Sequence, residues 1–519
     1  MLADQLIRYT SILSQSPTGN HIQNMPQSSG AVMVFLPVHL PASCLFERTF
    51  FMIFLAPGSN APLVSQLVAS ISLAINQRQL RPGSKLPSIR KLSHSHKVSH
   101  FTVVEAYDRL VALGLLKVVP NAGFYVRELA VNGVYEMPAD TLMQPSEFDF
   151  DAYLLLQRVF QPMGMEVRSG VGMLPEQWTD NEGLRRSLRG LARSVPSDYS
   201  GYGVAKGSAK LRAKLAEKLI DNQITAHPEQ IILTSGASHA LDLAVRYLVQ
   251  RGDSVLVDEP GYHNLFLNLH LQGAMLLGVP RTRDGIDLVQ LEHLIVQHRP
   301  KVFFTNTRLQ CPTGTSLSLA VAHRLLQLAD KHDFLIVEND IYADLDPSGQ
   351  QALAGMDQLS RVIYIGSFSK TIAPALRVGF IAARQELIHE LLPLKLVGGL
   401  TTSEITEELV LEVLLQGRHR KHVKQLQSQL AEAHDAVGQR LREMGMELFV
   451  EPGAGMFLWA RHPQIDDSTV LATQAKEKKI LLAPGQLFMP NASAVPWIRF
   501  NVAHSMDDRL YRFLGEICP

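Results

Sequence analysis

Ser367-Phe368-Ser369-Lys370 follows directly on the apolar run Val362 to Ile365, and Arg377 stands seven residues beyond the lysine. A lysine amine held partly out of water is a nucleophile that forms an imine with an aldehyde. Two hydroxyls and a guanidinium beside it are the donors that a phosphate group requires. The cluster therefore suits a ligand carrying both an aldehyde and a phosphate. Other residues extend the same chemistry. Gly236, Ala237 and Ser238 open a helical stretch, where backbone N–H groups attract phosphate. Tyr262 can stack on a flat ring. Cys311 begins Cys-Pro-Thr-Gly, and Asn339, Asp340 and Tyr342 share one short segment after an apolar run. Arg499, within IRFNVAH, offers the planar fork that grips a carboxylate. Taken singly, an exposed lysine, a half-buried tyrosine or a strand salt bridge explains each residue as well.

A second chemistry is confined to residues 58–128. This stretch holds nine basic and three acidic residues, a net charge of +6, so the rest of a chain with zero net charge carries −6. A basic module on an acidic chain points to a polyanionic partner. Lys85, Lys91 and Lys97 are candidates for phosphate contacts, and Arg90, Ser99, His100 and Thr102 for base contacts, with the turn Asn121 to Tyr125 reaching a neighbouring groove.

The elements that must position these residues are legible in the pattern. Leu63, Leu67, Ile71, Ala74 and Ile75 recur at helical spacing, and Arg81-Pro82-Gly83 ends that helix. Ser88 caps a short helix, Ile89 to His94; Ser99 caps a longer one running to about Leu113. Leu115 to Val119 and Phe124 to Val126 read as two strands around a turn. Helix, helix-turn-helix and hairpin is the winged-helix order. Residues 129–150 read as a linker. From about residue 151 to the end, apolar strands at Ile231–Thr234, Ser254–Val257, Val302–Thr305, Leu335–Val337 and Val362–Ile365 alternate with helical stretches such as Ala237–Gln250 and Leu319–His332, which predicts an α/β domain with a mainly parallel sheet. Residues 1–57 read as a poorly ordered extension. Their apolar part is broken by Pro37, His39, Pro41, Glu47 and Arg48, which argues against a membrane span, with a membrane-associating segment as the alternative. Cys44, Cys311 and Cys518 form no CxxC pair, so neither a disulfide framework nor a cysteine zinc site is supported, and a cytoplasmic setting follows.

The run LRPGSKLPSIRKLSHSHKVSHFTVVEAYDRLVALGLLKVVPNAGFYV resembles the GntR family of winged-helix proteins. The resemblance implies binding to double-stranded DNA. It departs at His100 and Phe101, where the family often has Arg and Thr. From about Asp151 onward the chain resembles the fold-type-I aminotransferases. That likeness implies pyridoxal 5'-phosphate held as an imine, an internal aldimine, on Lys370. It also implies a phosphate cup from Gly236, Ala237, Ser238, Ser367, Ser369 and Arg377, ring stacking by Tyr262, and substrate carboxylate binding by Arg499. Tyr342 would bond the ring oxygen. Two departures stand out. Cys311 occupies the position of an asparagine that bonds the ring oxygen. Asn339 occupies the position of the aspartate that holds the pyridine nitrogen protonated, with Asp340 adjacent as a substitute. A less protonated ring is a weaker electron sink, and a thiol is a weak donor.

The order of the two modules resembles the MocR subfamily of regulators. It implies a homodimeric, cofactor-dependent transcription regulator that senses an amino acid or amine through an aldimine at Lys370. An active aminotransferase with an accessory DNA-binding domain is the alternative, and a cofactor-free scaffold a third. On this reading Arg90→Ala abolishes specific operator binding in a mobility-shift assay, and an undiminished shift removes Arg90 from the DNA site.

Overall fold

The computed structural model describes residues 62–76, 79–120, 122–127, 164–194, 201–451 and 453–517. The expectations for residues 1–57, the linker 129–150, Asn121 and the start of the last domain at 151 fall outside the described residues. Those described form two compact units, one of 62–127 and one of 164–517. Among them, no helix is long and apolar enough to cross a membrane.

In the first unit, α1 (Leu63–Asn76) buries Leu67, Ile71 and Ala74 on one stripe. Helix α2 (Ile89–His96) starts at Ser88, whose side chain accepts from the Lys91 amide at 3.3 Å. It stops at Lys97, which takes a left-handed φ of 52° and lets the chain turn. Helix α3 (His100–Ala112) is capped by Ser99, whose Oγ accepts from the Thr102 amide at 3.0 Å. Its core stripe is Val103, Ala106, Tyr107 and Leu110, spaced by three and four residues as an amphipathic helix requires. The buried Tyr107 hydroxyl donates to the Pro87 carbonyl at 2.8 Å and ties α3 to the segment ahead of α2. Strands β1 (Leu116–Val119) and β2 (Gly123–Val126) pair antiparallel, and Lys85 adds a bridge to Tyr125 on the outer side of β2. The two Ser-capped helices and the hairpin of the sequence reading are all present, with ends shifted by one or two residues.

The second unit is built on an eight-stranded sheet in the order β3-β10-β9-β8-β7-β4-β5-β6. Its strands are β3 (Ile231–Thr234), β4 (Ser254–Glu259), β5 (Met275–Thr282), β6 (Gly285–Ile286), β7 (Val302–Thr305), β8 (Leu335–Asn339), β9 (Val362–Ser367) and β10 (Gly379–Ala382). Neighbours from β9 through β8, β7 and β4 to β5 are parallel; β10 and β6 pair antiparallel to their neighbours. The sheet is thus mainly parallel, as the alternating pattern predicts. Helices on both faces bury it between two apolar clusters, one containing Leu211, Phe303, Ile336 and Tyr364, the other Ile232, Val257, Phe304 and Ile365. Successive residues of a strand point to opposite faces, so neighbours such as Phe303 and Phe304 enter different clusters. A smaller antiparallel sheet, β11 (Glu447–Leu448), β12 (Phe457–Arg461), β14 (Trp497–Asn501) and β13 (Ala483–Pro484), has its own core.

This topology sets the site. The parallel strands β3, β4, β7, β8 and β9 all end on one edge of the sheet, and antiparallel β10 begins there, with Gly379 opposite both Thr234 and Ser367. Loops at the carboxyl ends of parallel strands converge on a crevice. The stability of the smaller unit depends on its caps: Ser99→Ala should lower its unfolding free energy by about 1 kcal/mol, read from denaturant unfolding, whereas an unchanged midpoint would show the cap to be dispensable.

Candidate functional site

Most candidate side chains of the second unit sit at or just beyond a strand end, while Arg499 lies within β14. Tyr262 follows β4, Cys311 β7, Tyr342 β8 and Lys370 β9; Gly236 follows β3, and Arg377 precedes β10. Gly236 is the N-cap of α4 (Ala237–Leu248) with a φ of 78°, a conformation that favours glycine. A Cβ there would lie 2.6 Å from Arg377 Nη2, so the glycine also makes room for the guanidinium. Arg377 Nη2 donates to the Ser235 carbonyl at 3.1 Å, and Ser367 Oγ donates to Ser369 Oγ at 3.1 Å. The first-turn amides of Ala237 and Ser238, the two hydroxyls and Arg377 are the donors that could cradle a dianion.

Lys370 Nζ donates to the Gly172 carbonyl at 2.5 Å and lies 5.9 Å from the centre of the Tyr342 ring. Burial pushes its pKa down to about 8, and the positive charges of Arg499 and Arg377 act the same way. Tyr342 is buried edge-on against Phe457, and burial raises its hydroxyl well above the ordinary phenol range, with Cys311 beside it. The Tyr262 hydroxyl is also raised by burial, with Ser238 and Asn264 beside it acting the other way. Arg499 is buried with its guanidinium between Phe457 and Phe488, 4.5 and 4.8 Å from their ring centres. Its Nη1 donates to Cys311 Sγ at 3.2 Å and its Nη2 to the Gly170 carbonyl at 2.6 Å, while Nε has no partner.

The two acid-position candidates separate. Asn339 lines a small cavity of about 10 Å³ with Tyr262, Asp258 and Asn306, separate from Lys370 and Arg499, and its Oδ1 is buried without a partner. Asp340 does not substitute for it. Its carboxylate is buried against the guanidinium of Arg308, which donates through both Nε and Nη2 and is held in turn by the Gln350 carbonyl and Asn222. Adjacent residues at a strand end point opposite ways, so one of the pair faces the cavity and the other does not. The expectation that Asp340 takes up the aspartate's role is therefore corrected.

Several participants escape a reading by motif. Gly170 and Gly172 act through carbonyls. Asn501 holds the same segment by donating to the carbonyls of Val171 and Met173 at 2.9 and 2.8 Å. Buried His263, next to Tyr262, sits 5.5 Å from the Phe488 ring with Nδ1 unpartnered; burial, aided by Arg499, lowers its pKa to about 3, so it is a neutral imidazole. The adjacency of His263 to Tyr262 was the available signal. A separate surface hollow of about 340 Å³, lined by Trp178, Asp180, Arg418 and His422 among others, contains none of the candidates.

In the first unit, Lys85, Arg90, Lys91, Lys97 and His100 are exposed, and Lys85 Nζ lies 5.7 Å from the centre of the Tyr125 ring. Ser99 and Thr102 differ from expectation. Their hydroxyls are 2.7 Å apart and bonded to each other within the α3 cap, so both serve the helix start first.

Residues 180–517 match the family described as aminotransferase class I and II, and residues 63–126 match bacterial regulatory proteins of the gntR family. The chain belongs to the aminotransferase class I and II family. With the gntR-type module ahead of it, the chain has the two-module organisation of the MocR subfamily. It is 27% identical to the uncharacterized HTH-type transcriptional regulator YdcR of Escherichia coli, over 86% of this chain and 95% of that protein. It is 28% identical to the probable rhizopine catabolism regulatory protein MocR of Rhizobium meliloti, over 83% and 88%. Among solved structures, the α-aminoadipate aminotransferase LysN of Thermus thermophilus, complexed with N-(5'-phosphopyridoxyl)-L-leucine, is 26% identical with a TM-score of 0.64, covering 70% of this chain and 95% of that one.

The residues present fit pyridoxal 5'-phosphate: the glycine-opened cradle, the desolvated lysine and the unpartnered Asn339 Oδ1 answer its phosphate, aldehyde and ring. The reactive form of Lys370 is the neutral amine, and with a pKa of about 8 that form increases from pH 7 to pH 9 and then saturates. The rate of cofactor uptake by apoprotein should follow this curve; a rate still climbing steeply above pH 10 would show that Lys370 is not desolvated.

Proposed function

We propose that the chain is a pyridoxal-phosphate-dependent transcription regulator acting in the cytoplasm as a homodimer, in which an amino acid or amine captured at the Lys370 site changes how the gntR-type module binds double-stranded DNA. The carrying observation is the split between Asn339 and Asp340: an amide faces the cavity, and the neighbouring carboxylate is locked to Arg308. When bound, the cofactor supplies an aldehyde that captures amines reversibly and a ring that withdraws electrons. Gly236, Ala237, Ser238, Ser367, Ser369 and Arg377 would hold its phosphate, Tyr262 its ring face, and Lys370 its aldehyde carbon.

The remaining roles belong to the chain itself. Arg499, buried with a free Nε, binds the carboxylate of an amino acid and orients it; the aromatic walls of Phe457 and Phe488 exclude water there. Lys370 accepts and returns a proton at Nζ, which its lowered pKa allows near neutrality. Tyr342, held protonated by burial, donates from its hydroxyl. Asn339 cannot keep a ring nitrogen protonated as a carboxylate does, so proton removal from a bound amine is slow and the captured ligand persists. Persistence is what a sensor needs. The same Lys370, Tyr342 and Arg499 favour a second reading as a working aminotransferase, which LysN performs on its own substrates.

The two readings part in a titration of the cofactor-loaded protein with a panel of amino acids and amines. The regulator reading expects the cofactor's visible band to shift with one ligand and remain, with Lys370→Ala as the silent control. It also expects Asn339→Asp to raise oxo-acid formation by on the order of 10²-fold. Rapid bleaching of the wild-type band with stoichiometric oxo-acid would put the enzyme first.

A further inference from the structure

The outward face of α3 carries a chemistry that the basic residues around it do not explain. Val103, Ala106, Tyr107 and Leu110 face the core. At 3.6 residues per turn the opposite stripe is Phe101, Glu105 and Asp108. Phe101, the second residue of the helix, is 77% exposed. Several of the polar groups around it are already bonded within the helix, while His100 stays exposed beside it. The Ser99 and Thr102 hydroxyls bond to each other at 2.7 Å, and Glu105 is paired with Arg109 at 2.6 Å. Among the described residues, the other exposed large apolar side chains of this unit, Leu63, Leu73, Leu113 and Val118, are aliphatic and lie outside the first turn of α3.

A lone exposed apolar residue is ordinary on a protein surface. This one stands in the first turn of the second helix of a helix-turn-helix, the part that reaches base edges in the major groove. The major-groove edge of DNA presents one apolar group, the C5-methyl of thymine, and phenylalanine is among the side chains that pack on it. Phosphate anchoring does not require Phe101, because Arg90, Lys91 and Lys97 are exposed on and just after α2.

We propose that Phe101 is a base-reading residue that packs against a thymine 5-methyl group in each half-site, making one A·T pair per half-site a determinant of operator choice. This rests on the DNA-binding reading. The contact is apolar, so it sets specificity and adds nothing to the salt dependence that the phosphate contacts generate.

The test uses the full-length, cofactor-loaded protein and an operator selected from a random duplex pool. Each thymine in turn is replaced by deoxyuridine, which lacks the methyl, or by 5-bromodeoxyuridine, whose bromine is of similar size. Burial of one methyl corresponds to a loss of about three- to fivefold in affinity. At one thymine per half-site, uracil should weaken the wild type by that factor and bromouracil should restore it. Phe101→Ala should bind the thymine operator correspondingly less well, ignore the uracil exchange at that position, and keep the wild-type salt slope and thermal midpoint. The proposal is overturned if Phe101→Ala keeps the wild-type thymine-to-uracil ratio at every position, or if no thymine shows methyl dependence. Failure of the wild type to select any sequence overturns the DNA-binding reading as well, and so is distinguishable.

Discussion

The second unit depends on how its buried charges are paired. Each buried carboxylate on the strands around the site already has partners. Asp258 on β4 accepts from Arg281, Thr305 and the Asn306 amide. Glu338 on β8 accepts from Thr307 and from the amides of Leu353 and Ala354. Asp340 is held by Arg308. Among these candidate residues the charged groups left to the crevice are cations: Lys370, Arg377 and Arg499. Lys370 meets a carbonyl and no carboxylate, which is why burial lowers its pKa so far. The same arrangement gives the crevice a cationic lining, which suits anionic groups. It also explains why losing one pair partner would be costly, since the remaining charge would stay buried alone.

The parallel sheet converts this pairing into position. Because the strands share a direction, their ends deliver an aromatic ring, a thiol, an amide, a phenol and an amine to one edge without long loops. The antiparallel return of β10 then places Arg377 beside Gly236. Regulation asks for more than a well-formed site. A captured ligand alters DNA binding only by interacting unequally with two states of the protein, and the coupling is reciprocal. A ligand that is held and not consumed biases such an equilibrium steadily, which gives the amide at position 339 its significance.

Much of this was legible in the sequence. Helices repeat at 3.6 residues, Ser88 and Ser99 sit ahead of apolar stripes, and short Val/Ile runs alternate with helices, so both units could be outlined. Lys370, Arg377 and the Gly236 helix start were readable because local chemistry defines them. What stayed hidden depends on contacts distant in sequence. Asp340 and Asn339 are neighbours with equal claims until Arg308 and the pleat assign them to opposite sides. The carbonyls of Gly170 and Gly172 have no side-chain signal, and the Arg499–Cys311 contact spans 188 residues. At Ser99 and Thr102 two readings competed, and the helix cap took the hydroxyls because an uncapped helix start leaves backbone donors unpaired.

On the proposed function, occupancy of the Lys370 site is felt at the DNA. The most direct measurement is operator affinity of the full-length, cofactor-loaded protein with and without the amine or amino acid that shifts its visible band, in wild type and in Lys370→Ala. Wild-type Kd should change by about fivefold or more, and that of Lys370→Ala should stay the same. Equal affinities in wild type with and without that ligand would mean that the Lys370 site and the DNA-binding module are uncoupled.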